Sequence, residues 1–159
     1  MEGIIARLLT EKGLTIAVAE SCTGGLIADR LTDVPGSSVY LERALVTYSD
    51  RSKTELLGVP EETIVRHGAV SEETARRMAE GAREKAKTNL GLSTTGIAGP
   101  GGGSEAKPVG TVFIALANGS QTFCRQYVYR WDRRRHKIIT SQAALLMLKR
   151  YLSGELDHE

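Results

Sequence analysis

Apolar residues alternate along the chain between helical and strand-like spacing. Residues 2–12 carry apolar side chains at helical intervals and precede Gly13, which predicts a short amphipathic helix that ends there. The run TIAVA at 15–19 is apolar or β-branched throughout, as in a strand covered on both faces. A second helix is expected from about Gly24 to the turn signal VPGSS at 34–38. The chain therefore begins with the order helix, strand, helix.

The middle of the chain repeats this alternation. Segment 39–48 is rich in β-branched and aromatic residues and predicts a strand. Residues 49–57 follow as a helix that begins at a capping serine and ends at Gly58. Segment 71–87 begins with a serine and two glutamates and ends in basic residues, so its charges match a helix dipole. Its inward side consists of small residues, which lets a helix lie close to a sheet or to another helix.

The remaining segments add strands, a hairpin and a last helix. Residues 90–97 predict a third strand that runs into a glycine-rich segment, and 110–117 is an apolar run of the central-strand type. Asn118-Gly119 joins that run to a strand within 122–130 through a type I′ hairpin. A final helix is predicted over about 133–152. The residues that we expect it to bury are Ile138, Ile139, Leu145, Leu146 and Leu152.

Helices interleaved with strands are typical of the α/β class. The pattern predicts a three-layer α/β/α sandwich whose mixed sheet contains one antiparallel hairpin. Because neither a repeat nor a long linker interrupts it, we expect a single domain over 1–159.

Composition narrows the classes of function. Apolar residues make up 41% and charged residues 25%, and 21 basic against 19 acidic side chains leave a formal charge of +2. This charge gives no reason to expect nucleic acid or a membrane as partner. Charged residues inside the apolar pattern of 1–13 argue against a signal peptide and a membrane span. The two cysteines lack metal-ligand spacing, so we expect free thiols, no metal or cofactor, and a cytoplasmic protein.

The segment AESCTGG at 19–25 is the first candidate site. A strand delivers Ser21 to the point where the next helix begins, so the free N–H groups of Thr23, Gly24 and Gly25 are expected to face whatever Ser21 touches. That arrangement suits an oxyanion or a phosphate. The alternative is that Ser21 or Thr23 only caps the helix.

A serine hydroxyl needs a base to become a nucleophile. The histidines His67, in a predicted loop, His136 and His158 have neighbourhoods that do not suggest a catalytic triad. Lys53 is the alternative base, because burial lowers the pKa of a lysine and lets its neutral amine accept a proton. Lys53 follows a strand end at Tyr48, and both converge on the serine if that strand lies beside the first. A solvent-facing position on a helix is the other interpretation of Lys53.

Two neighbours of Ser21 leave alternatives open. Cys22 is a rival nucleophile, because a thiol at a helix N-terminus has a lowered pKa. If the strand alternation continues, its side chain points away from that of Ser21, and at most one of the two faces the site. Glu20 is either a general base or a structural carboxylate beside the turn.

The segment TTGIAGPGGG at 94–103 is the second candidate site. Its glycines allow positive φ and bring successive N–H groups close to an anion. It matches neither the Walker loop nor the dinucleotide fingerprint. Because ligands of open α/β sheets lie at the carboxyl ends of strands, two glycine-rich turns after two strands point to a small phosphorylated substrate. A flexible surface loop is the alternative, and the basic segment 130–137 is either a phosphate contact or the solvated face of a helix.

Three separated segments carry a family resemblance: AESCTGGLIADRLTDVPGSS at 19–38, YSDRSKTELLGVPEETIVRHGAVSEETARRMAEGAR at 48–83 and TTGIAGPGGGSEAKPVGTVFIAL at 94–116. They resemble the C-terminal domain of the competence/damage-inducible CinA proteins, which also occurs alone in nicotinamide-nucleotide amidohydrolases of the PncC type. The resemblance implies hydrolysis of nicotinamide mononucleotide to nicotinic acid mononucleotide and ammonia without a metal. It also implies an oligomer, commonly a dimer. Longer CinA proteins carry an additional N-terminal nucleotide-hydrolysing domain, for which this chain has no room.

The resemblance also implies roles for individual residues. By motif, Ser21 resembles the nucleophile, Lys53 the base that activates it and Tyr48 an orienting hydroxyl. The implied substrate-binding positions are Thr23, Gly24, Gly25, Thr95, Gly96, Gly99, Gly101 and Arg133.

The phosphate end of the site departs from the family pattern. Arg133 matches the arginine that opens the last helix and pairs with phosphate. Trp131 stands where the family often has glycine, and Lys137 stands where a second arginine is common.

The leading expectation is a nicotinamide mononucleotide deamidase in which a lysine-activated serine forms an acyl-enzyme. A non-catalytic nucleotide-binding module or partner protein is the alternative, since it needs the same turns without turnover. A phosphate-ester hydrolase or kinase-like enzyme requires a carboxylate pair and magnesium, and near the glycine loop the sequence offers only Glu105.

Overall fold

The computed structural model describes residues 1–156 and contains helices packed on a mixed five-stranded sheet. The helices are α1 Glu2–Lys12, α2 Leu26–Thr32, α3 Asp50–Leu57, α4 Glu61–His67, α5 Glu72–Ala86 and α6 Arg133–Leu152. The strands are β1 Ile16–Glu20, β2 Leu41–Val46, β3 Leu90–Gly96, β4 Thr111–Ala117 and β5 Thr122–Val128. A short 3₁₀ turn, Ser37–Val39, precedes β2.

The strand order is β2-β1-β3-β4-β5. β1 pairs in parallel with β2 and with β3, whereas β4 pairs antiparallel with β3 and with β5. The carboxyl ends of β1, β2 and β3 therefore meet at one edge of the sheet, where β4 begins. This edge receives both glycine-rich turns.

Alternating side chains of β1 divide the core into two layers. Ile16 and Val18 pack under α1, α2 and α6, whereas Ala17 and Ala19 pack under α5. Helices thus cover both faces of the sheet, which confirms the three-layer α/β/α sandwich.

Helix α5 lies unusually close to its neighbours because its inward side is small, as predicted. A Cβ at Gly81 would overlap the carbonyl oxygen of Leu57 at the end of α3, and a Cβ at Gly91 of β3 would overlap the carbonyl oxygen of Ala79. These glycines set the spacing between α5, α3 and the sheet.

The predicted helix boundaries have the expected caps. Ser49 and Ser71 accept N–H groups from Ser52 and Thr74 in the first turns of α3 and α5. Gly58 ends α3 in the left-handed conformation, with φ of 71°. The cap at Ser49 matters for the site, since α3 carries Lys53.

Two predictions about the middle of the chain need correction. Helix α4 was not predicted and His67 was expected in a loop, although Glu61 and Glu62 at the start of α4 and His67 at its end fit the helix dipole. Segment 39–48 contains a shorter strand than predicted, since β2 covers Leu41–Val46.

The last helix buries a different side from the predicted one. Leu145 and Leu152 are buried as expected, but Ile138 is 51% exposed, Leu146 is 42% exposed and Ile139 is half-buried. Polar residues take their places facing the sheet, so the apolar pattern alone chose the wrong stripe. The buried residues of α6 are His136, Thr140, Ser141, Ala144, Leu145, Met147, Leu148 and Leu152.

The hairpin is present but its turn is not type I′. Asn118 N–H donates to the Gln121 carbonyl, which makes Gly119 and Ser120 the central residues. Of these, only Gly119 has positive φ, as in a type II′ turn. The Asn118 side chain accepts the N–H groups of Ser120 and Gln121, which favours this turn over one centred on Asn118 itself.

Candidate active site

A cavity of about 260 Å³ lies at the carboxyl edge of the parallel strands. It draws residues from the turn after β1, the segment after β2, the α4–α5 connection, the glycine loop and the start of α6. Its lining residues are Ser21, Cys22, Tyr48, Lys53, Ala69, Val70, Thr95, Gly96, Ile97, Ala98, Gly101, Gly102 and Arg133.

Ser21 follows the last residue of β1 and is held by the neighbouring strand. Its N–H donates to the Thr94 carbonyl at 3.0 Å, which continues the β1–β3 ladder by one step. The chain then turns through Gly24 and Gly25, which have φ of 62° and 101°. Left-handed conformations of this kind suit glycine and let the chain turn from β1 into α2, which begins at Leu26.

Lys53 lies in the interior rather than facing solvent. Its side chain is 1% exposed, and its Nζ lies 3.3 Å from the Ser21 Oγ. Nζ also donates to the backbone carbonyls of Thr47 at 2.8 Å and of Tyr48 at 3.3 Å. Burial lowers the pKa of the Lys53 amine below its usual value, while the Asp50 carboxylate acts in the opposite direction.

These contacts give the neutral amine a defined orientation. A neutral primary amine has two N–H groups and one lone pair. If the carbonyls of Thr47 and Tyr48 accept the two N–H groups, the lone pair is left for the hydroxyl proton of Ser21. The arrangement is therefore chemically competent for proton abstraction from a serine.

The amides of the turn differ from the expectation. Gly24 N–H donates to the Ser21 carbonyl at 3.2 Å and Gly25 N–H donates to the Glu20 carboxylate at 3.0 Å, so neither is free for a ligand. Of the two roles considered for Glu20, general base or structural carboxylate, this contact fits the structural one. Within residues 1–156, the Thr23 N–H has no acceptor, although the Thr23 side chain is buried against the hydroxyl of Thr94.

Cys22 borders the cavity beside Ser21, whereas we expected at most one of the two to face it. The thiol is 6% exposed and belongs to the core under α6. Burial raises its pKa to about 12, so the reactive thiolate is disfavoured. The serine is the better nucleophile of the pair.

The glycine loop closes the other side of the cavity. Thr95 is buried and its hydroxyl donates to the Ala69 carbonyl at 2.7 Å. Gly96 and Gly101 border the cavity, whereas Gly99 is not among its lining residues. In the described part of the chain, the N–H groups of Ala98, Gly99, Gly101 and Gly102 have no acceptors.

Arg133 spans the mouth of the cavity. It donates to the Gly99 carbonyl at 2.8 Å and to the Tyr48 hydroxyl at 2.8 Å. The Tyr48 hydroxyl therefore contacts Arg133 rather than Ser21 or Lys53, and the part of Tyr48 that contacts the lysine is its carbonyl. One helical turn later, the Lys137 Nζ lies 3.3 Å from where a Cβ on Gly24 would be, which places this second cation beside the turn after Ser21.

Neither His67 nor His136 contacts Ser21. His136 is fully buried, and its Nε2 lies 3.2 Å from the Gly110 carbonyl. Burial lowers the pKa of His136, which disfavours its protonated form. His67 lies at the end of α4, 3.4 Å from Glu73. His158 lies outside the described residues.

Two contributions to the site were not predicted from the sequence. The α4–α5 connection supplies Ala69 and Val70 as an apolar wall, and the Thr47 carbonyl holds the lysine. The position of Ala69 and Val70 directly before the capping Ser71 was the signal that could have placed them at a helix start on this edge.

Residues 1–156 contain neither a candidate metal site nor a candidate membrane-spanning helix. No group of three or more His, Cys, Asp or Glu side chains there could hold a metal ion. None of the helices in that range combines the length and apolar character needed to span a bilayer.

Solved structures share this fold and much of its sequence. The competence/damage inducible protein CihA from Agrobacterium tumefaciens is 41% identical with a TM-score of 0.88, over 96% of this chain and 94% of that one. The competence damage-inducible protein A (ComA) from Klebsiella pneumoniae is 32% identical with a TM-score of 0.92, over the same shares of the two chains.

Relatives of known sequence are longer than this chain. A CinA-like protein of Syntrophus aciditrophicus is 70% identical over 155 residues, which are 97% of this chain and 37% of the relative. A putative competence-damage inducible protein of Caldicellulosiruptor bescii is 50% identical over 94% of this chain and 36% of the relative. The chain thus spans little more than a third of these relatives. The family profile of the CinA C-terminal domain matches residues 1–152, and the chain belongs to the CinA family.

Proposed function

We propose that this chain is a nicotinamide mononucleotide deamidase, which converts the mononucleotide and water to nicotinic acid mononucleotide and ammonia. The observation that carries the proposal is the buried Lys53 amine 3.3 Å from the Ser21 hydroxyl, in a cavity at the carboxyl edge of the sheet. A solvated lysine would be protonated at neutral pH and unable to act as base. Burial is the feature that supports a neutral one.

The first half of the proposed reaction is acylation of Ser21. Neutral Lys53 accepts the hydroxyl proton while Ser21 Oγ bonds to the carboxamide carbon. The tetrahedral intermediate then breaks its C–N bond, the Lys53 ammonium returns a proton to the leaving nitrogen, and ammonia departs. The cationic pyridinium ring withdraws electrons from the amide and lowers the demand on the protein.

The second half is hydrolysis of the ester. Lys53 takes a proton from water, the resulting hydroxide attacks the acyl carbon, and the proton returns to Ser21 Oγ as the acid leaves. The oxyanion of both steps needs N–H donors. Since Gly24 and Gly25 have internal acceptors, we assign this role to the Thr23 amide and to the adjoining amides of the glycine loop.

The other end of the cavity supports binding of a phosphorylated ligand. Arg133 lines it, Lys137 lies beside the neighbouring turn at Gly24, and the loop amides would add uncharged donors to an anion. Ala69, Val70 and Ile97 form an apolar wall suited to a pyridine ring. The cavity of about 260 Å³ is close to the lower end of the usual range for small-molecule pockets, about 300 Å³, which favours a small ligand.

The setting of the enzyme is also a proposal. We propose that the protein is a cytoplasmic homodimer that binds a small pyridine nucleotide as its substrate. We propose no role for nucleic acid, a membrane, a metal or a cofactor.

The test is ammonia release from the mononucleotide without added metal. Ser21→Ala and Lys53→Met should each lower kcat by at least about 10³-fold, because one lacks the nucleophile and the other the base. Exposed Ser38→Ala and Lys12→Met are the matched controls and should retain the parental rate.

Two outcomes would contradict the proposal. Parental turnover by Ser21→Ala or Lys53→Met would remove the assigned roles. Tight mononucleotide binding by the parent in calorimetry, with no ammonia released, would favour the non-catalytic binding module instead.

A further inference from the structure

A buried carboxylate next to Ser21 takes no part in the proposed reaction. Glu20, the last residue of β1, is fully buried. Its Oε2 accepts the N–H groups of Gly25 at 3.0 Å and Ile27 at 3.1 Å, and its Oε1 accepts that of Ala28 at 2.9 Å. These donors at the start of α2 compensate the charge, and the salt bridges of the described residues include none to Glu20.

The main chain of Glu20 is tied to the other half of the site. Its carbonyl accepts the Thr47 N–H at 2.8 Å, and the Thr47 carbonyl in turn accepts the Lys53 Nζ at 2.8 Å. Glu20 therefore connects the β2 end, which holds the base, with the helix start that fixes the turn after the nucleophile.

We infer that Glu20 is a positioning residue, which holds the Ser21 hydroxyl at the distance from Lys53 that proton transfer requires. The carboxylate crosses the turn from the strand before Ser21 to the helix after it and so restrains Ser21 from both sides. A general-base role does not fit, because both carboxylate oxygens already accept backbone N–H groups and Glu20 is fully buried. Misplacement of a reacting group by about 1 Å can cost about 10²-fold in rate.

The effect on turnover rests on the proposed function, but the effect on Ser21 reactivity does not. The experiment therefore measures labelling of Ser21 by a fluorophosphonate probe, in which the serine oxygen bonds to phosphorus, fluoride leaves and Lys53 takes the hydroxyl proton. Labelling is followed by intact mass, with Ser21→Ala as the unlabelled reference.

The test variant is Glu20→Gln, whose amide nitrogen cannot accept the N–H that one carboxylate oxygen accepts now. We expect labelling per folded molecule to slow by at least about tenfold, with kcat falling in parallel and KM within about threefold. Thr88→Val is the control, because it removes a buried hydrogen bond to the Leu90 carbonyl at the opposite end of β3. It should lower the melting temperature and leave labelling unchanged.

The outcomes separate the two proposals. Slower labelling of Glu20→Gln in a protein that releases no ammonia would support the positioning role and reject the deamidase. Labelling of folded Glu20→Gln within twofold of the parent, or a parent whose Ser21 is not labelled, would overturn the inference.

A second variant serves if Glu20→Gln does not fold. Ala28→Pro removes the N–H donated to Oε1, in the first turn of α2, where no intrahelical hydrogen bond is lost with it. Labelling several-fold slower than that of Thr88→Val would support the inference, and labelling at the same rate would reject it.

Discussion

Gly81→Ala tests whether the spacing of two helices sets the geometry of the site. In a solvent-exposed helix, replacing glycine by alanine stabilises by about 1 kcal/mol. Here the new Cβ would overlap the Leu57 carbonyl oxygen and lie 2.9 Å from its carbonyl carbon. Carbon atoms in contact lie about 3.5–4.0 Å apart, so α3 and α5 must separate by about 1 Å.

The separation should cost more than the helix gains. Overpacking of a core costs about 1–3 kcal/mol, and the upper end applies because the obstacle is backbone rather than a movable side chain. The net loss is about 2 kcal/mol, which lowers the melting temperature of a domain of this size by about 4–8 °C. Leu57 lies one helical turn after Lys53, so the same shift moves the amine from Ser21 and should lower kcat/KM by about 10²-fold.

The assay combines thermal unfolding with ammonia release. Gly3→Ala in α1 is the matched control, since its Cβ would meet nothing within 4 Å. It should leave activity unchanged and stability equal or slightly higher. A Gly81→Ala protein with parental or higher melting temperature would refute the close approach, and parental kcat/KM at lowered stability would refute its link to the site.

Two further predictions concern charge. The rate should rise with pH as Lys53 loses its proton, through a pKa below the usual lysine value. Asp50→Asn removes a negative charge that favours protonated Lys53, so the rise of kcat/KM should shift to lower pH. The control Glu55→Gln should leave the pH profile of kcat/KM unchanged. An unmoved profile in Asp50→Asn would contradict the lysine assignment. Arg133→Ala should raise KM for the mononucleotide by about 10- to 100-fold and leave KM for the phosphate-free nucleoside unchanged, and an equal loss with both would remove the phosphate role.

Local patterns were sufficient for most of the fold. Each β-strand was predicted because apolar runs bounded by turn residues are short-range signals. The helix starts at Ser49 and Ser71 were predicted because side-chain caps are local too. The approach of Lys53 to Ser21 followed from a single topological step, namely that β2 lies beside β1 in parallel.

The predictions that failed depended on competition between distant or mutually exclusive partners. Helix α6 contains apolar residues on several sides, so its buried stripe was decided by packing against α1, α2 and the sheet, which its own sequence does not encode. The turn after Ser21 contains several N–H groups that could bind a ligand, but the N–H of Gly25 donates to the Glu20 carboxylate instead. Local sequence preferences do not reveal which acceptor an N–H group of this turn will bind.

The surroundings of Lys53 show why the orientation of its amine could not be predicted from the sequence. The groups that orient the Lys53 amine are the backbone carbonyls of Thr47 and Tyr48. Any amino acid at these two positions would supply the same carbonyl groups. Their positions depend on the path of the chain after β2, which the Thr47 N–H bond to Glu20 fixes. Side-chain substitutions at 47 and 48 should therefore disturb the base only as far as they move the backbone. The sequence predicts which residues are the candidate nucleophile and base, whereas the orientation of the Lys53 amine is a property of the fold.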